Sequence, residues 1–446
     1  MAKTSIRGTQ ILNNTVQRQD IDTLTTGQAL VTKLVQGTNV TLSSTGADSG
    51  TGDVTVSVPN AGISTDSGNI ATLGSDSKLY VPDPAPIITA IRLRSFSSVG
   101  NGTFEVDQRQ CYSTVSNPAA GVFVQDRWQI QRSIPTGVFT WNCQPTKVNV
   151  PGTSFCISQR APVLTVTTQQ SSLATGDYCS LYNSVEGPSL RELINDVHSL
   201  SILAYSNVAG ATFSVSLRDA AATYSLVNLC TIPSALTWTL FKFPSLPIWT
   251  SSATWNLTAG NLGYILSITV ACGTTYIAPS AGTWVAGNYL AAPNQTNFFA
   301  NAVNSYIGFG FIQHCPGSNT DLIDVPFSQN LDGPMGCLRY FTKSYLYGTR
   351  AGTVMNTGEV RVPTIAGQHI WAHVPFKRTM AKAPTVTGYS SNTGTINAAY
   401  DMVAVGDRTI TSVFFPGDSC FGGFGLNAVN ASQSGYQFHY TADTGW

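Results

Sequence analysis

The residues best suited to hold a ligand are aromatic side chains that lie close together in the second half of the chain. They are Trp238, Trp249, Trp255, Tyr264, Tyr276, Trp284 and Tyr289. Sugars stack their C–H faces on exposed aromatic rings, and a few amides and hydroxyls fix their orientation. Because large rings usually fill hydrophobic cores, most of these are expected to be buried. Trp255, Tyr276 and Trp284 stand beside turn residues, so we predict these three as the accessible rings of a glycan-binding site.

The acidic residues do not define a catalytic centre. Cleavage of a glycan requires two carboxylates a few ångströms apart, and no spacing in the sequence selects such a pair. The available acids include Asp126, Glu186, Asp196, Asp219, Asp321 and Asp324. The sequence also lacks a Gly-x-Ser-x-Gly nucleophile turn and a Gly-x-x-x-x-Gly-Lys phosphate loop. We therefore expect a protein that is not an enzyme.

The histidines do not predict a metal site. His369 and His373 are four residues apart, a spacing that can hold zinc on a helix. Their segment favours a strand, where the two side chains share a face but lie about 13 Å apart. His314 and Cys315 are adjacent and would point to opposite faces of a strand, so we interpret them as part of a loop. The sequence thus predicts neither a metal ion nor another cofactor.

The cysteine count is nine, an odd number that cannot all pair within one chain. No Cys-x-x-Cys occurs, which excludes zinc-knuckle and thioredoxin-type motifs. We interpret the cysteines as buried free thiols that act as small apolar residues. Disulfide bonds formed in an oxidising exterior are the alternative, and the sequence does not choose between them.

Charge is scarce in this chain of 446 residues. Only 10% of residues are charged, against roughly 25% in an average globular domain, while hydrophobic content is 42%. Serine, threonine, asparagine, glutamine and glycine replace the missing charges, and they suit strands and turns better than helices. Lys plus Arg and Asp plus Glu both number 23, and no basic stripe stands out, so nucleic-acid binding is not expected. We predict an all-β protein whose neutral surface suits a large assembly.

Neither a signal peptide nor a membrane span is predicted from the sequence. Residues 1–10 are polar and lack an apolar core. The longest apolar stretches, such as Leu262–Cys272, are interrupted by polar residues and glycine and are too short to cross a bilayer. We expect synthesis in the cytoplasm and no membrane insertion.

Residues 1–85 form a distinct segment. Short alternating runs such as Val54–Val58 are separated by Gly-rich turns, and Tyr80 is the only aromatic residue. With so few large side chains the segment cannot build a core alone. We predict that it is extended, that it becomes ordered by winding with identical copies or by docking on a partner, and that it ends in a Pro-rich linker at Pro82–Pro86.

Residues 86–328 have the pattern of a large β-domain. Period-two alternation predicts strands, and many short strands at this spacing indicate a sandwich or jelly roll. Examples are Phe213–Leu217, Tyr264–Val270 and Ile307–Phe311. One short helix is predicted within Ser189–Leu200, where Ser189 and Glu192 have capping-box spacing, with a strand taking over near Leu200.

Residues 329–446 form a smaller β-unit. Strands are predicted at Pro384–Thr387, Ile410–Phe415 and Tyr436–Tyr440, and a loop at Gly417–Gly425. Between the two β-units, residues 337–349 contain four aromatics followed by Gly-Thr, which favours a β-ribbon that ends in a turn. We predict that this stretch joins the domains.

The joining stretch also resembles a known motif. Residues 337–345 read Cys-Leu-Arg-Tyr-Phe-Thr-Lys-Ser-Tyr, which is similar to the Cys-Gln-Arg-Tyr-Tyr-x-Lys-Ser-Tyr hallmark of tailed-phage fibre and minor structural proteins. Further matches follow the order of that family, at Arg7–Leu12, Leu42–Val54, Leu73–Tyr80, Asp126–Trp128, Val185–Gly187, Ala281–Leu290, Ala383–Thr395 and Tyr436–Asp443. Two positions depart from the pattern. Leu338 replaces a polar residue, and Gln313–Gly317 stands where the family has Gln-x-Glu-x-Gly.

The resemblance implies a homotrimeric virion protein on the exterior of a tailed-phage particle. Residues 1–85 would trimerise and attach to other virion proteins. A jelly-roll sandwich at 86–328 and a smaller C-terminal sandwich at 329–446 would then contact host-surface glycans as a tail fibre, without catalysis. The competing hypothesis is a purely structural fibre or decoration of the head, neck or baseplate, and a third is a glycan-degrading tailspike. The family has no agreed catalytic residues, so the resemblance assigns none.

Overall fold

The computed structural model describes four short strands near the N-terminus and residues 97–446, except residues 155, 192, 195–196, 319–335, 365–366 and 431–433. The chain separates into two compact units, Met1–Ile87 and Ile88–Trp446. In the first unit, β1 (Thr41–Ser44) pairs antiparallel with β2 (Val54–Ser57), and β3 (Thr72–Leu73) with β4 (Leu79–Tyr80). The alternating run that begins at Val54 is therefore a strand, as predicted. The Gly-rich turns and the Pro-rich linker lie outside the described residues.

The second unit is built almost entirely from antiparallel strands. In chain order they are β5 Val115–Ser116, β6 Phe123–Gln125, β7 Trp128–Arg132, β8 Val138–Asn149, β9 Cys156–Thr168, β10 Tyr178–Glu186, β11 His198–Ser206, β12 Thr212–Asp219, β13 Tyr224–Thr231, β14 Thr239–Leu246, β15 Leu262–Cys272, β16 Trp284–Ala286, β17 Tyr306–Pro316, β18 Phe341–Lys343, β19 Val360–Thr364, β20 Gly367–Pro375, β21 Thr385–Ser390, β22 Ala398–Asp401, β23 Gly406–Val413, β24 Cys420–Asn430 and β25 Ser434–Asp443. Helical elements among the described residues include α1 (Gly187–Arg191) and 3-10 turns at Thr274–Tyr276 and Phe298–Ala300.

Two sheets form the central sandwich. One has the order β16-β13-β12-β15-β10-β7-β6 and the other β14-β11-β17-β9-β8-β5. From β9 to β12 each successive strand lies in the opposite sheet, so the chain wraps around the core as in a jelly roll. The predicted all-β fold with a central jelly-roll sandwich is confirmed.

Strand β12 shows how the sequence builds this core. Phe213, Val215 and Leu217 alternate along the strand and contribute buried side chains to the main hydrophobic cluster. The intervening Ser214 is buried as well, because its hydroxyl accepts a hydrogen bond from the backbone N–H of Ala292 at 2.9 Å. Hydroxyl side chains can be buried here because backbone groups from a covering loop satisfy them.

Strand β17 extends further than the alternation predicts. It pairs with β11 as far as Pro316, so His314 and Cys315 lie in a strand and their interpretation as a loop pair is wrong. The two side chains alternate faces as extended neighbours do, and both are buried because this strand is central in its sheet.

The predicted helix is shorter and begins earlier. It spans only Gly187–Arg191, and β11 already begins at His198. The α-carbon of Gly187 packs against the backbone carbonyls of Asn256 and Thr258, a position that excludes a side chain. Because β11 pairs with strands on both sides, sheet formation overrides the helical spacing of this segment. No helix within the described part of the chain is long and apolar enough to span a membrane.

A buried chain of hydrogen bonds links the two sheets at one end of the core. The imidazole Nε2 of His198 donates to the Pro247 carbonyl at 3.0 Å, which leaves its Nδ1 to accept from His314 Nε2 at 2.8 Å. The remaining nitrogen of His314 then accepts from the Tyr264 hydroxyl at 2.7 Å, and that hydroxyl accepts from Ser98 at 2.5 Å. Because burial lowers the pKa of both histidines, both imidazoles are neutral, and this order of donors and acceptors fits that state. The Ser98 hydroxyl also lies 3.2 Å from the His314 carbonyl.

The C-terminal sheet is organised around its last strand. Strand β25 pairs with β18, β19, β21 and β22, and the order continues through β23 and β24 to β20. The strands predicted near Thr385, Ile410 and Tyr436 are present, although β23 ends at Val413. The prediction of a loop at Gly417–Gly425 is wrong from residue 420 onward, where β24 begins. Gly423 and Gly425 lie in this strand and pair with Trp371 and His369 on β20.

One buried carboxylate joins the sandwich to the C-terminal sheet. Glu186, at the end of β10, accepts hydrogen bonds from Arg339 Nε at 2.8 Å and Nη2 at 2.6 Å, and from the Tyr340 hydroxyl at 2.8 Å. The backbone N–H of Gly260 adds a fourth bond at 2.7 Å. Desolvation raises the pKa of Glu186, but these donors outweigh it and the pKa lies below its usual range.

Other residues of the joining stretch reinforce the same contact. The guanidinium of Arg127 lies 3.6 Å from the centre of the Tyr340 ring. The fully buried Lys343 ammonium donates to the carbonyls of Gln108 and Thr349, each at 2.6 Å. Residues 336–338 form a helical turn, so the predicted ribbon is reduced to the three-residue strand β18. Its predicted role of joining the two sheet systems matches these contacts.

All nine cysteines are free thiols in this structure. Cys143, Cys179, Cys230, Cys315 and Cys337 are buried, and the other four are partly exposed. Desolvation raises the pKa of Cys179 and of Cys315 to about 12, which keeps these thiols protonated and unreactive. The burial of five of the nine thiols agrees with the interpretation of cysteines as small apolar residues.

We predict that Arg339→Lys destabilises the protein, because lysine keeps the charge but cannot reproduce the two-pronged contact with Glu186. The expected loss in free energy of unfolding is about 1.5–3 kcal/mol, measured by urea titration. Arg378→Lys is the matched control, since Arg378 is exposed and its side chain makes no hydrogen bond to the described residues. Equal effects of the two substitutions would show that the Glu186 contact contributes nothing special.

We predict acid sensitivity from the buried histidine pair. Desolvation lowers the pKa of His198 to about 4, and burial plus its neighbour lowers the pKa of His314 well below normal. Between roughly pH 6.5 and 4 the unfolded chain binds protons that the folded chain excludes, so stability is present above this window and is lost as pH falls through it. For His198 alone the loss is about 2–3 kcal/mol at pH 4.5.

The measurement compares urea titrations at pH 7.5 and pH 4.5. Asp107 acts in the opposite direction, because desolvation and repulsion from Asp126 raise its pKa to about 7. The informative quantity is therefore the difference in pH dependence between the wild type and the double variant His198→Gln/His314→Gln. The exposed His373→Gln is the control, and an unchanged pH dependence in the double variant would contradict the assignment.

Candidate functional site

The structure brings together two of the three predicted site residues. Trp255 and Trp284 have ring centres 5.3 Å apart, and both contact Trp249, at 4.7 and 5.3 Å. We call these three residues the tryptophan cluster. Tyr276 does not belong to it, because its ring packs edge-on against Tyr178 at 5.2 Å. Whether any of these residues binds a glycan stays a prediction.

The tryptophan cluster closes one end of the sandwich core. Trp249 is buried, whereas Trp255 and Trp284 are partly buried and pack against the main hydrophobic cluster. The indole N–H of Trp255 donates to the Thr250 carbonyl at 2.7 Å, and that of Trp284 to the Pro247 carbonyl at 3.3 Å. Their N–H groups and much of their ring surface are already used within the fold, which leaves limited area for a ligand.

A second aromatic group, which the sequence analysis did not select, is far more accessible. It consists of Trp371, Phe414 and Phe415, and we call it the aromatic platform. Trp371 is 59% exposed and Phe415 is 76% exposed. The plane of Trp371 is within 17° of Phe414 and 25° of Phe415, with ring centres 4.7 and 6.3 Å apart. Trp371 stacks on the partly buried Phe414, and Phe415 is tilted by 42° against Phe414, so the exposed apolar surface is formed by Trp371 and Phe415.

Glycines of β24 provide the floor of the aromatic platform. Trp371 on β20 lies directly across from Gly423, which has a positive φ and no space for a Cβ against the Ile370 carbonyl. The Phe415 ring approaches the α-carbon of Gly422, and Phe414 approaches Gly425. Rings that cover glycines in neighbouring strands are held in place without being buried.

His369 completes one edge of the platform. Its imidazole meets the rings of Trp371 and Phe414 edge-on, at 5.8 and 5.2 Å. The local signal for this site was the alternation of His369, Trp371 and His373 on the exposed face of one strand. Phe414 and Phe415 are more than forty residues away in sequence, so only the sheet pairing reveals that the rings meet.

One pair of neighbouring carboxylates, those of Asp107 and Asp126, is buried within the fold. Asp107 and Asp126 repel each other, but both are 1% exposed. Their oxygens accept hydrogen bonds from Gln110, Tyr112 and Gln108, so they are used as structural acceptors. No group of three or more His, Cys, Asp or Glu residues suited to a metal ion occurs among the described residues.

No family model and no curated protein matches this chain. Similar solved structures exist, at low identity. TmCBM61 in complex with beta-1,4-galactotriose matches 50% of this chain and 99% of its own at 9% identity, with a TM-score of 0.23. A putative sugar binding protein from Bacteroides thetaiotaomicron matches 50% of this chain and 100% of its own at 11% identity, with a TM-score of 0.26.

A third similar structure comes from a phage. The enzymatically active domain of Bacteriophage CBA120 tailspike protein 4 matches 49% of this chain but only 21% of its own, at 11% identity and a TM-score of 0.24. At such TM-scores these likenesses carry no inference about the residues or the ligand of this chain.

Proposed function

We propose that this chain is a non-catalytic, glycan-binding tail fibre on the exterior of a tailed-phage virion. The aromatic platform is the observation that carries the binding role. Soluble proteins rarely leave several large rings together in water unless the surface has a partner. The exposed faces of Trp371 and Phe415 suit the C–H faces of a sugar, and these rings carry no charge that would favour a charged ligand.

The non-catalytic part of the proposal is supported by the acidic residues. A glycosidase holds two carboxylates on either side of an accessible bond. The neighbouring carboxylates of Asp107 and Asp126 are buried in structural hydrogen bonds and offer no such access. Stacking alone binds weakly, so attachment relies on several copies engaging a repetitive surface at once.

The virion part of the proposal rests on the sequence resemblance and on the N-terminal segment. The segment 1–85 carries a single aromatic residue and ordinary strand-forming runs, which favours order through association with identical copies. We propose that it forms a homotrimer and docks on other virion proteins.

We predict that Trp371→Ala and Phe415→Ala each weaken glycan binding at least about tenfold, because truncation of a central ring in a binding surface typically costs more than ~1.4 kcal/mol. The measurement is binding of the full chain to a microarray of bacterial surface polysaccharides, followed by titration of the best probe. Trp255→Phe and Trp284→Phe test the earlier prediction, since they retain core packing but change the indole surface.

The control is Val403→Ala, which removes exposed apolar surface from a turn outside the platform. An array on which the wild-type chain binds nothing would contradict attachment and favour the structural head, neck or baseplate hypothesis. Release of oligosaccharides from a bound polysaccharide would overturn the non-catalytic assignment and favour a tailspike.

We also predict that the full chain is a trimer in dilute solution, because the N-terminal segment lacks the large side chains needed for a core of its own. Light scattering coupled to size-exclusion chromatography measures the mass, which should be three times the 47.4 kDa of one chain. Removal of residues 1–85 should yield a monomer. A monomeric full chain would contradict the proposed oligomer.

A further inference from the structure

A polar cavity lies where the sandwich meets the C-terminal sheet. Its volume is about 590 Å³, within the usual range for ligand sites. On one side are Arg109, Gln110 and Phe123 of the sandwich, and on the other is the outer face of β18, β25 and β21. The exposed residues Arg350, Thr385 and Gly445 form its rim. We call this space the junction cavity.

Hydroxyl groups dominate the sheet side of the junction cavity. Thr385 and Thr387 alternate along β21 and lie directly across from Asp443 and Thr441 on β25, so these side chains share one face. Tyr389 continues the same row. The hydroxyls of Thr385, Thr387, Tyr389 and Thr441 make no hydrogen bond to any residue that the structure describes. A row of free hydroxyls facing a cavity suits a ligand that carries many hydroxyls of its own.

The charge of the lining is positive. Two arginines, Arg109 and Arg350, stand against one carboxylate, Asp443, which gives a net charge of +1. Arg109 is already committed, because it forms a two-pronged ion pair with Asp443 and lies between the rings of Phe123 and Phe341, 3.8 and 4.4 Å from their centres.

Arg350 is the cation that remains for a ligand. Its guanidinium is exposed at the rim and forms no ion pair with a described residue. A guanidinium binds a carboxylate through two parallel N–H donors, whereas a single arginine without clustered backbone N–H groups is a weak site for a phosphate.

We infer that the junction cavity binds an acidic saccharide, with the carboxylate of a uronic acid residue on Arg350 and the sugar hydroxyls on Thr387, Tyr389 and Thr441. The choice of a saccharide rests in part on the proposed glycan-binding function, whereas the charge and the hydroxyl row are independent of the aromatic platform. The open rim allows a longer saccharide to continue into solvent, so the cavity binds one charged sugar residue of a polymer.

The experiment is isothermal titration of the full chain with a galacturonic acid trisaccharide. We expect binding that weakens as salt is raised, because ionic screening reduces the contribution of the ion pair. Neutral galactotriose should bind about tenfold more weakly, the effect of losing one charge-assisted contact. Arg350→Gln should reduce affinity for the uronate about tenfold and leave galactotriose unchanged. Thr387→Val tests the hydroxyl row and should weaken both ligands.

Controls separate this site from the platform. Val403→Ala, which changes exposed apolar surface outside both sites, should leave uronate binding unchanged. A loss of uronate binding in Trp371→Ala would place the ligand on the platform and overturn the inference. Equal affinity for the acidic and neutral trisaccharides, or displacement of the uronate by inorganic phosphate at similar concentration, would also overturn it. If polysaccharide binding depends on Trp371 but the uronate does not bind, the cavity inference fails while the proposed function stands.

Discussion

The arrangement of the sandwich and the C-terminal sheet depends on the carboxylate of Glu186. Four hydrogen bonds from two separate segments converge on it, and these donors hold its pKa below the usual range despite burial. Once Arg339 and Tyr340 are fixed there, Tyr340 can stack under Arg127 and the following strand enters the sheet beside β25. A second ion pair, between Arg109 and Asp443, joins the two walls of the junction cavity.

The same contact explains why separate motifs of the sequence belong together. Asp126–Trp128, Val185–Gly187 and the joining stretch 337–345 are far apart along the chain, yet all three supply groups to this junction. Their order in the sequence signalled a family resemblance. Their physical role is to neutralise the Glu186 carboxylate through the two-pronged contact of Arg339. Only the three-dimensional arrangement reveals this role.

Local sequence patterns were sufficient to predict the positions of most strands. They were insufficient where pairing between strands remote in sequence determines the structure. Period-two alternation located β12, β15 and β17 because one face of each strand is apolar. It failed at the start of β24, where Gly422 and Gly423 have the pattern of a loop but are required beneath rings from neighbouring strands. For the site, proximity in sequence selected Trp255 and Trp284, which close the core, and missed Trp371, whose partners are remote in sequence.

Strand β25 has a consequence for the order of folding. It is the shared neighbour of four strands, and its partner Phe341 precedes Asp443 by 102 residues. Every pairing of β25 needs residues 434–443, whereas the last strand of the jelly roll, β17, already ends at Pro316. The jelly roll can therefore be complete while the terminal sheet is still unformed. Glu186 and the Gln108 carbonyl are then already in place to bind Arg339 and Lys343, which precede and begin the terminal sheet. Maturation of the terminal sheet becomes a late, templated step that begins only when residues 434–443 have been synthesised.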